Sequence, residues 1–274
     1  MRYDLHVHST ASDGVYAPAA VVRLSAEAGL SGMALTDHDT VAGVAEAVAE
    51  GRRLGVEVVP GIELSLQAGD DDIHVLGYWI EHEDPALATV LDELFTMRVE
   101  RVRGMAAKLG DHGHALDLDD ILAEADGGAP GRPHVAKAMV KRGIVASMEE
   151  AFAAWIGNDG PAYVPKSLMD PRRGFELLRR FGAVPVYAHP GLSPWRDLLE
   201  EFVALGLQGL EVDHPKQGLA IRAELREACR LRGLVATGGS DFHEAWSASR
   251  ALGAEGVSGE TVAELRARRV ISAS

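Results

Sequence analysis

Short apolar runs alternate along this chain with longer stretches whose apolar positions recur every three to four residues. The first pattern is that of strands and the second that of amphipathic helices. Residues 2–7 read as a strand, 18–29 as a helix, 32–36 as a strand, 41–54 as an alanine-rich helix, and 56–65 and 73–80 as strands. Pro18 opens the first helix and Gly29 closes it, the punctuation that helix ends favour. The rhythm returns with a helix over 171–181, a strand over 184–188, a helix over 195–205, a strand over 209–212, a helix over 219–232 and a strand over 234–237. Such repetition predicts parallel strands, and 274 residues suffice for one α/β barrel. Between 92 and 165 the rhythm fails. Residues 91–109 and 135–155 read as helical, 127–133 as a loop, and 111–126 as an acidic, solvated face. The expected organisation is a barrel from 1–91 and 166–274, with a helical insertion, 92–165, capping one face.

Composition narrows the picture. At 47% hydrophobic the chain can fill a core, so disorder is not the default. No apolar run reaches membrane-spanning length, and no charged-then-apolar leader opens the chain, so a cytoplasmic protein is expected. The single cysteine, Cys229, excludes an internal disulfide and reads as a small buried hydrophobe. A net charge of −14 argues against a duplex-coating surface. Nucleotides and short nucleic-acid ends stay open, because a metal cluster reverses the local field whatever the total charge.

Chemistry concentrates at strand ends. His6 and His8 sit two apart on the first strand and so point to one face, with Asp13 five residues later. His38, Glu63, His74, His189, Asp241 and His243 fall at other strand ends. In a parallel barrel these ends share one rim, where active sites form. Six imidazoles interleaved with three carboxylates make a donor set for Mn, Fe or Zn, with no thiolate involved.

The ordered motifs His6-x-His8 with Asp13-Gly14, Thr36-Asp37-His38-Asp39, Gly61-Ile62-Glu63, Ile73-His74, Ala188-His189-Pro190 and Ser240-Asp241-Phe242-His243 span nearly the whole chain. The set resembles the Polymerase and Histidinol Phosphatase (PHP) phosphoesterases. That resemblance implies a distorted (β/α)7 TIM-like barrel and three divalent ions, Mn²⁺ first. By position, His6, His8, Glu63 and Asp241 would hold one ion. Glu63 would bridge to a second, shared with His74 and His189, while Asp13, His38 and His243 would hold the third. Asp13, His38, Glu63 and His243 are the expected catalytic groups. Such a site would carry a net charge of about +3, attract phosphate, and drive hydrolysis by attack of a metal-bound hydroxide on phosphorus.

Within the insertion, Arg132-Pro133-His134 and Pro161-Ala162-Tyr163-Val164-Pro165-Lys166 resemble one PHP branch. It contains 3′,5′-nucleoside bisphosphate phosphatases and 5′-to-3′ exonucleases of short RNA. The likeness implies that Arg132 and His134, with Lys166, grip a substrate phosphate; His214, at a strand end, is a further candidate contact. The expected substrate is a nucleotide phosphate monoester or a short RNA end, with no duplex DNA and no membrane partner. Histidinol-phosphate phosphatase and a non-catalytic nucleotide sensor are the alternatives. Asp37 or Asp39 would orient a ligand histidine, or Asp39 would cap a helix. Glu244 and Asp213 depart from the branch and would add negative charge near the substrate.

Overall fold

The computed structural model describes residues 1–69, 71–165, 169–244 and 251–269. Its strands are β1 (Arg2–Val7), β2 (Gly32–Leu35), β3 (Glu57–Ala68), β4 (Asp71–Tyr78), β5 (Val184–Tyr187), β6 (Gly209–Asp213), β7 (Val235–Gly238) and a two-residue β8 (Val257–Ser258). They form one sheet in the order β7-β6-β5-β4-β3-β2-β1-β8. The sheet curls until the chain beyond β7 meets β1. There the His8 N–H donates to the Phe242 carbonyl at 2.9 Å, and the Phe242 N–H to the His6 carbonyl at 3.3 Å. The result is a nearly closed α/β barrel.

Parallel pairing holds for β1-β2-β3 and for β5-β6-β7. It fails at β4, which runs antiparallel to both β3 and β5. Only two residues separate β3 from β4, whereas a parallel crossover needs about a dozen, so a hairpin is the one connection available. Gly69 supplies the left-handed turn with φ 62°. The reversal matters for the site. It brings the N-terminal end of β4 to the rim that the other strands reach with their C-terminal ends. His74, opposite Ser65 in the ladder, arrives there by that route.

The helices are α1 (Pro18–Glu27), α2 (Val44–Leu54), α3 (Pro85–Asp111), α4 (Leu118–Ala125), α5 (Arg132–Lys141), α6 (Met148–Ala151), α7 (Pro171–Arg180), α8 (Trp195–Leu205), α9 (Leu219–Arg232) and α10 (Gly259–Arg266). Leu5, Ala34, Val59, Leu76, Val186 and Val235 fill the barrel interior. Val21, Val22 and Val44 of α1 and α2 cover Met33 and Leu35, while Phe175, Phe202 and Leu225 of α7, α8 and α9 pack into a cluster with Leu210. Each such side chain contributes about 1.5–3 kcal/mol by burial.

The segment before α7 carries its own core of Val102, Met105, Leu109, Ile121, Val135, Met139 and Ile156. One helix belongs to both cores. Leu87 and Leu91 near the start of α3 pack with the barrel, and Val102, Met105 and Leu109 near its end pack in this second core. Residue 92 therefore falls inside a continuous helix. The single helix expected over 135–155 is broken: Gly143, at φ 68°, closes α5, and a π-helical turn, Phe152–Ile156, follows α6. No helix among the described residues is long and apolar enough to cross a membrane.

The barrel seam is held by Asp4, a fully buried carboxylate. It accepts from the Ser240 N–H at 2.9 Å, the Ser240 hydroxyl at 2.6 Å, the Gly253 N–H at 2.7 Å and the His6 N–H at 3.2 Å. Removing the acceptor strands several buried donors at about 1–3 kcal/mol each. Asp4→Ala is expected to lower the unfolding free energy by about 3 kcal/mol or more, measured by urea denaturation monitored by circular dichroism. A loss below about 1 kcal/mol would show that the seam does not depend on this carboxylate.

Candidate metal centre

Glu63 is the hub. It lies at the level where β3 passes the end of β2, and the ladder continues through its backbone: Glu63 N–H donates to the Asp37 carbonyl, and Asp39 N–H to that of Glu63. Its carboxylate is 1% exposed. Oε2 lies 3.3 Å from His6 Nε2, 3.3 Å from His8 Nε2 and 3.0 Å from His38 Nδ1. Oε1 lies 2.9 Å from His74 Nδ1 and 3.1 Å from His189 Nε2. Asp241 Oδ1 lies 3.6 Å from His6 Nε2 and 3.4 Å from His8 Nε2. Asp13 sits on the far side of His8, 3.2 Å from His243 Nε2 and 4.0 Å from His38 Nε2. All nine residues expected to hold metal thus converge at one mouth of the barrel.

Eight of the nine fall into three overlapping groups, each within 4.8 Å: His8, Asp13, His38 and His243; His6, His8 and Asp241; His38, Glu63 and His74. His189 joins them through Glu63 Oε1, at 3.1 Å. His38 stands between Glu63 and Asp13, and His8 between Asp241 and Asp13.

The chemistry of these atoms fits cations. His6 Nε2, His8 Nε2, His38 Nδ1 and Glu63 Oε2 are buried and make no hydrogen bond. Four orphaned polar atoms in one spot are costly unless something positive joins them. The proton balance says the same. Burial alone would strip the proton from His8, yet Asp241 and Glu63 push its pKa up to about 10. Burial alone would likewise raise the Glu63 carboxyl, yet His38, His74 and His6 hold it well below the usual carboxylate range. Asp13 and Asp241 are held down by His243 and other imidazoles against the same opposing burial. The pocket's carboxylates call for positive charge, which protons or divalent ions can supply.

Backbone strain accompanies the site. Asp39, His189 and Asp241 adopt positive φ of 53°, 31° and 52°. Such conformations cost about 1–3 kcal/mol per residue and persist only where their surroundings enforce them.

A ring of residues behind the donors does that work, and sequence reasoning overlooked most of it. Glu211 on β6, fully buried, accepts from His6 Nδ1 at 2.9 Å and from the His189 N–H at 2.7 Å. Its only signal in the sequence was a charged residue inside an otherwise apolar strand. Asp37 accepts from the Ser9 N–H, the Ser9 hydroxyl and the Ser12 hydroxyl, and Ser12 Oγ lies 3.5 Å from His8 Nδ1. Asp39 caps no helix. It accepts from the Ser65 N–H and from two nitrogens of Arg98, which ties α3 to the rim.

A cleft of about 350 Å³ opens beside the cluster. Asp13, His214, Lys216, Asp241 and His243 line one part, and Pro133, Lys137, Met148 and Phe152 another. His214 Nδ1 accepts from the Lys216 N–H, which leaves Nε2 to donate to Asp241 Oδ2 at 3.3 Å. Lys216 Nζ reaches the same oxygen at 3.2 Å. Arg132 and His134 are not among the lining residues. Arg132 donates to Asn158 and lies over the rings of Phe152 and Tyr163. His134 Nδ1 accepts from the Gly131 N–H at 3.0 Å, capping α5. Lys166 lies outside the described residues. Of the two departures, Glu244 lines the cleft, whereas Asp213 is neutralised by Arg226 at 2.5 Å and Arg222 at 3.6 Å.

His134 generates a pH prediction. Burial drives its pKa down to about 4, so the folded ring stays neutral where the unfolded one, near 6.5, already takes a proton. Acid therefore favours unfolding through this group, and the loss accrues as pH falls from about 6.5 to about 4. At about 1.4 kcal/mol per unit it reaches at most about 3.5 kcal/mol. His134→Asn keeps an acceptor for Gly131. Its stability is expected to fall less than the wild type's over this window, read as urea midpoints at several pH values. Parallel curves would sink the assignment.

Comparison with known proteins agrees with this geometry. The PHP domain profile matches residues 4–126. A 5′-3′ exoribonuclease of Haemophilus influenzae is 32% identical over 88% of this chain and 90% of its own. A 3′,5′-nucleoside bisphosphate phosphatase of Chromobacterium violaceum is 33% identical over 91% of this chain and 90% of its own. Among solved structures, a protein of Bifidobacterium adolescentis assigned to the metal-dependent phosphoesterases superposes with a TM-score of 0.89 at 29% identity, covering 98% of this chain and 97% of its own. With its nine convergent donors, its barrel and these full-length likenesses, the chain belongs to the PHP family of metal-dependent phosphoesterases.

Proposed function

We propose that this chain hydrolyses a phosphate monoester of a nucleotide, a 3′,5′-nucleoside bisphosphate or an AMP-like compound, or trims the 5′ end of short RNA. The observation that carries the reading is a cluster of eight grouped donors, with His189 attached through Glu63, opening directly into a cleft with both apolar and cationic walls. Full-length likeness to a nucleoside bisphosphate phosphatase and to an exoribonuclease supports it.

His6, His8, Glu63 and Asp241 would hold one divalent ion, Glu63, His74 and His189 a second, and Asp13, His38 and His243 a third, with Mn²⁺ the first candidate. When bound, such ions supply Lewis-acid stabilisation of a phosphoryl group and make water nucleophilic near neutral pH. The chain's own groups do the rest. Asp13, at the cleft wall 3.2 Å from His243 Nε2, would present its carboxylate with that imidazole to the third ion, where the cleft begins. His243 is the most exposed of the nine donors; its Nδ1 donates to the Asp241 carbonyl at 2.9 Å, which leaves Nε2 beside Asp13 free to hold a cation at the cleft edge. The apolar faces of Phe152, Met148 and Pro133 suit a nucleobase, and the volume suits about one nucleotide. Lys137 and Lys216 face the same space and would take charge on the substrate.

The cap adds guanidinium groups. Arg101 lies over one face of Tyr163, as does Arg132, and Arg101 Nη2 is buried without a hydrogen-bond partner. Burial and the neighbouring Arg132 push Arg101 down to about 10. Neither has a carboxylate ion-pair partner among the described residues, which suits a phosphate that is bound but not cleaved. Lys166, close in sequence to Tyr163, is kept as a weaker contact.

A phosphate-release assay on a panel of nucleotides, short 5′-phosphorylated RNA and histidinol phosphate tests the reading. Turnover of a nucleotide substrate with Mn²⁺ and its abolition by chelator are expected. Hydrolysis of histidinol phosphate alone, or tight AMP binding without turnover, would replace it. Lys137→Ala and Arg132→Ala are each expected to raise KM about 10- to 100-fold with kcat nearly unchanged, since each removes one charged contact of about 1.5–3 kcal/mol. An unchanged KM in both would remove these residues from substrate binding.

A further inference from the structure

Glu211 touches two of the convergent residues without joining them. Oε1 accepts from His6 Nδ1 at 2.9 Å, and Oε2 accepts from the backbone N–H of His189 at 2.7 Å. Its own carbonyl is engaged by Gln217 Nε2 at 2.9 Å, and the residue is fully buried. The two groups that it holds point to opposite oxygens of one carboxylate: His6 Nε2 lies 3.3 Å from Glu63 Oε2, and His189 Nε2 lies 3.1 Å from Glu63 Oε1. His189 also carries the most unusual backbone of the site, with φ 31°.

We propose that Glu211 is a positioning residue that fixes the His6 tautomer and the His189 backbone together, and so couples the filling of the two cation positions on either side of Glu63. This rests on the metal-centre reading above. A carboxylate has only acceptors to offer. Facing His6 Nδ1, it requires that nitrogen to carry the proton, which leaves Nε2 bare for a cation. Facing the His189 N–H, it satisfies a donor that the left-handed turn directs into the protein interior.

No neutral isostere can do both. In Glu211→Gln, one acceptor becomes an NH₂ donor. If that donor faces His6 Nδ1, the ring proton moves to Nε2 and blocks the ligating atom. If it faces the His189 N–H, two donors meet and the turn must shift. Either arrangement harms one side of Glu63, and through the shared carboxylate it harms the other.

The test measures metal, not turnover. Zn²⁺ and Mn²⁺ affinities and stoichiometries are taken by chelator competition on the wild type, Glu211→Gln and Glu211→Asp, with circular dichroism to verify folding. Glu211→Gln is expected to weaken both cation positions flanking Glu63 by about 10- to 100-fold. Glu211→Asp, shorter but still acceptor-only, is expected to retain more affinity than Glu211→Gln. A space-filling role predicts the opposite order, because glutamine is the isostere. Wild-type affinity in a folded Glu211→Gln, or loss of one cation alone, overturns the proposal. Long-range ¹H–¹⁵N spectra of the Zn²⁺-loaded wild type add a readout that needs no variant: a His6 proton on Nε2 overturns it outright. A wild type that binds no metal instead defeats the metal-centre reading itself.

Discussion

A carboxylate sealed from water among imidazoles is the interaction on which the rest of the structure depends. Glu63 is 1% exposed and meets five histidines. A buried charge of one sign is destabilising unless opposite charge is held close and in good geometry. The barrel provides that geometry by sending strands from distant parts of the chain to one rim. Its closure at the β1–β7 seam brings Asp241 and His243 from the last quarter of the sequence onto His6 and His8 from the first strand. The burial that stabilises the barrel thus also creates the low-dielectric setting in which the cluster's charges act strongly on one another.

Much of this was legible in the sequence because strand ends announce themselves. An apolar run followed by His, Asp or Glu marks a rim position, and that rule pointed to most of the nine residues that the barrel brings together. His74 was found for an incomplete reason. It stands near the start of a strand, and only the hairpin between β3 and β4 explains how a strand start reaches the same rim. The expected strands, 56–65 and 73–80, already left too short a connection for a crossover helix, a constraint readable from spacing and overlooked in favour of the prevailing rhythm. The break in the expected 135–155 helix was similarly marked by Gly143.

The residues behind the donors were harder to see. Asp4, Asp37 and Glu211 are acids whose partners are backbone N–H groups, hydroxyls and imidazole nitrogens far away in sequence. No spacing rule finds them, since their purpose appears only when distant segments meet. Arg98 is similar: one cation on a long helix looks solvated until the helix docks and delivers it to Asp39. Asp213 illustrates the converse. Its charge looked disruptive near the substrate, but Arg226 and Arg222 of α9 absorb it.

The 27-residue α3 is one rod embedded at one end in the barrel and at the other in the cap. Arg98 pins its middle to the rim. A hinge between the two cores along this path would have to break a packed helix and the Arg98–Asp39 ion pair together. On the proposed reading, selection of guests would belong to the side chains on the cleft walls, acting as a fixed gauge rather than a closing jaw. Met148, Phe152 and Lys137 line that cleft and are not among the nine converging residues, so the shape of the cleft and the bundle of charges beneath can vary separately along the chain.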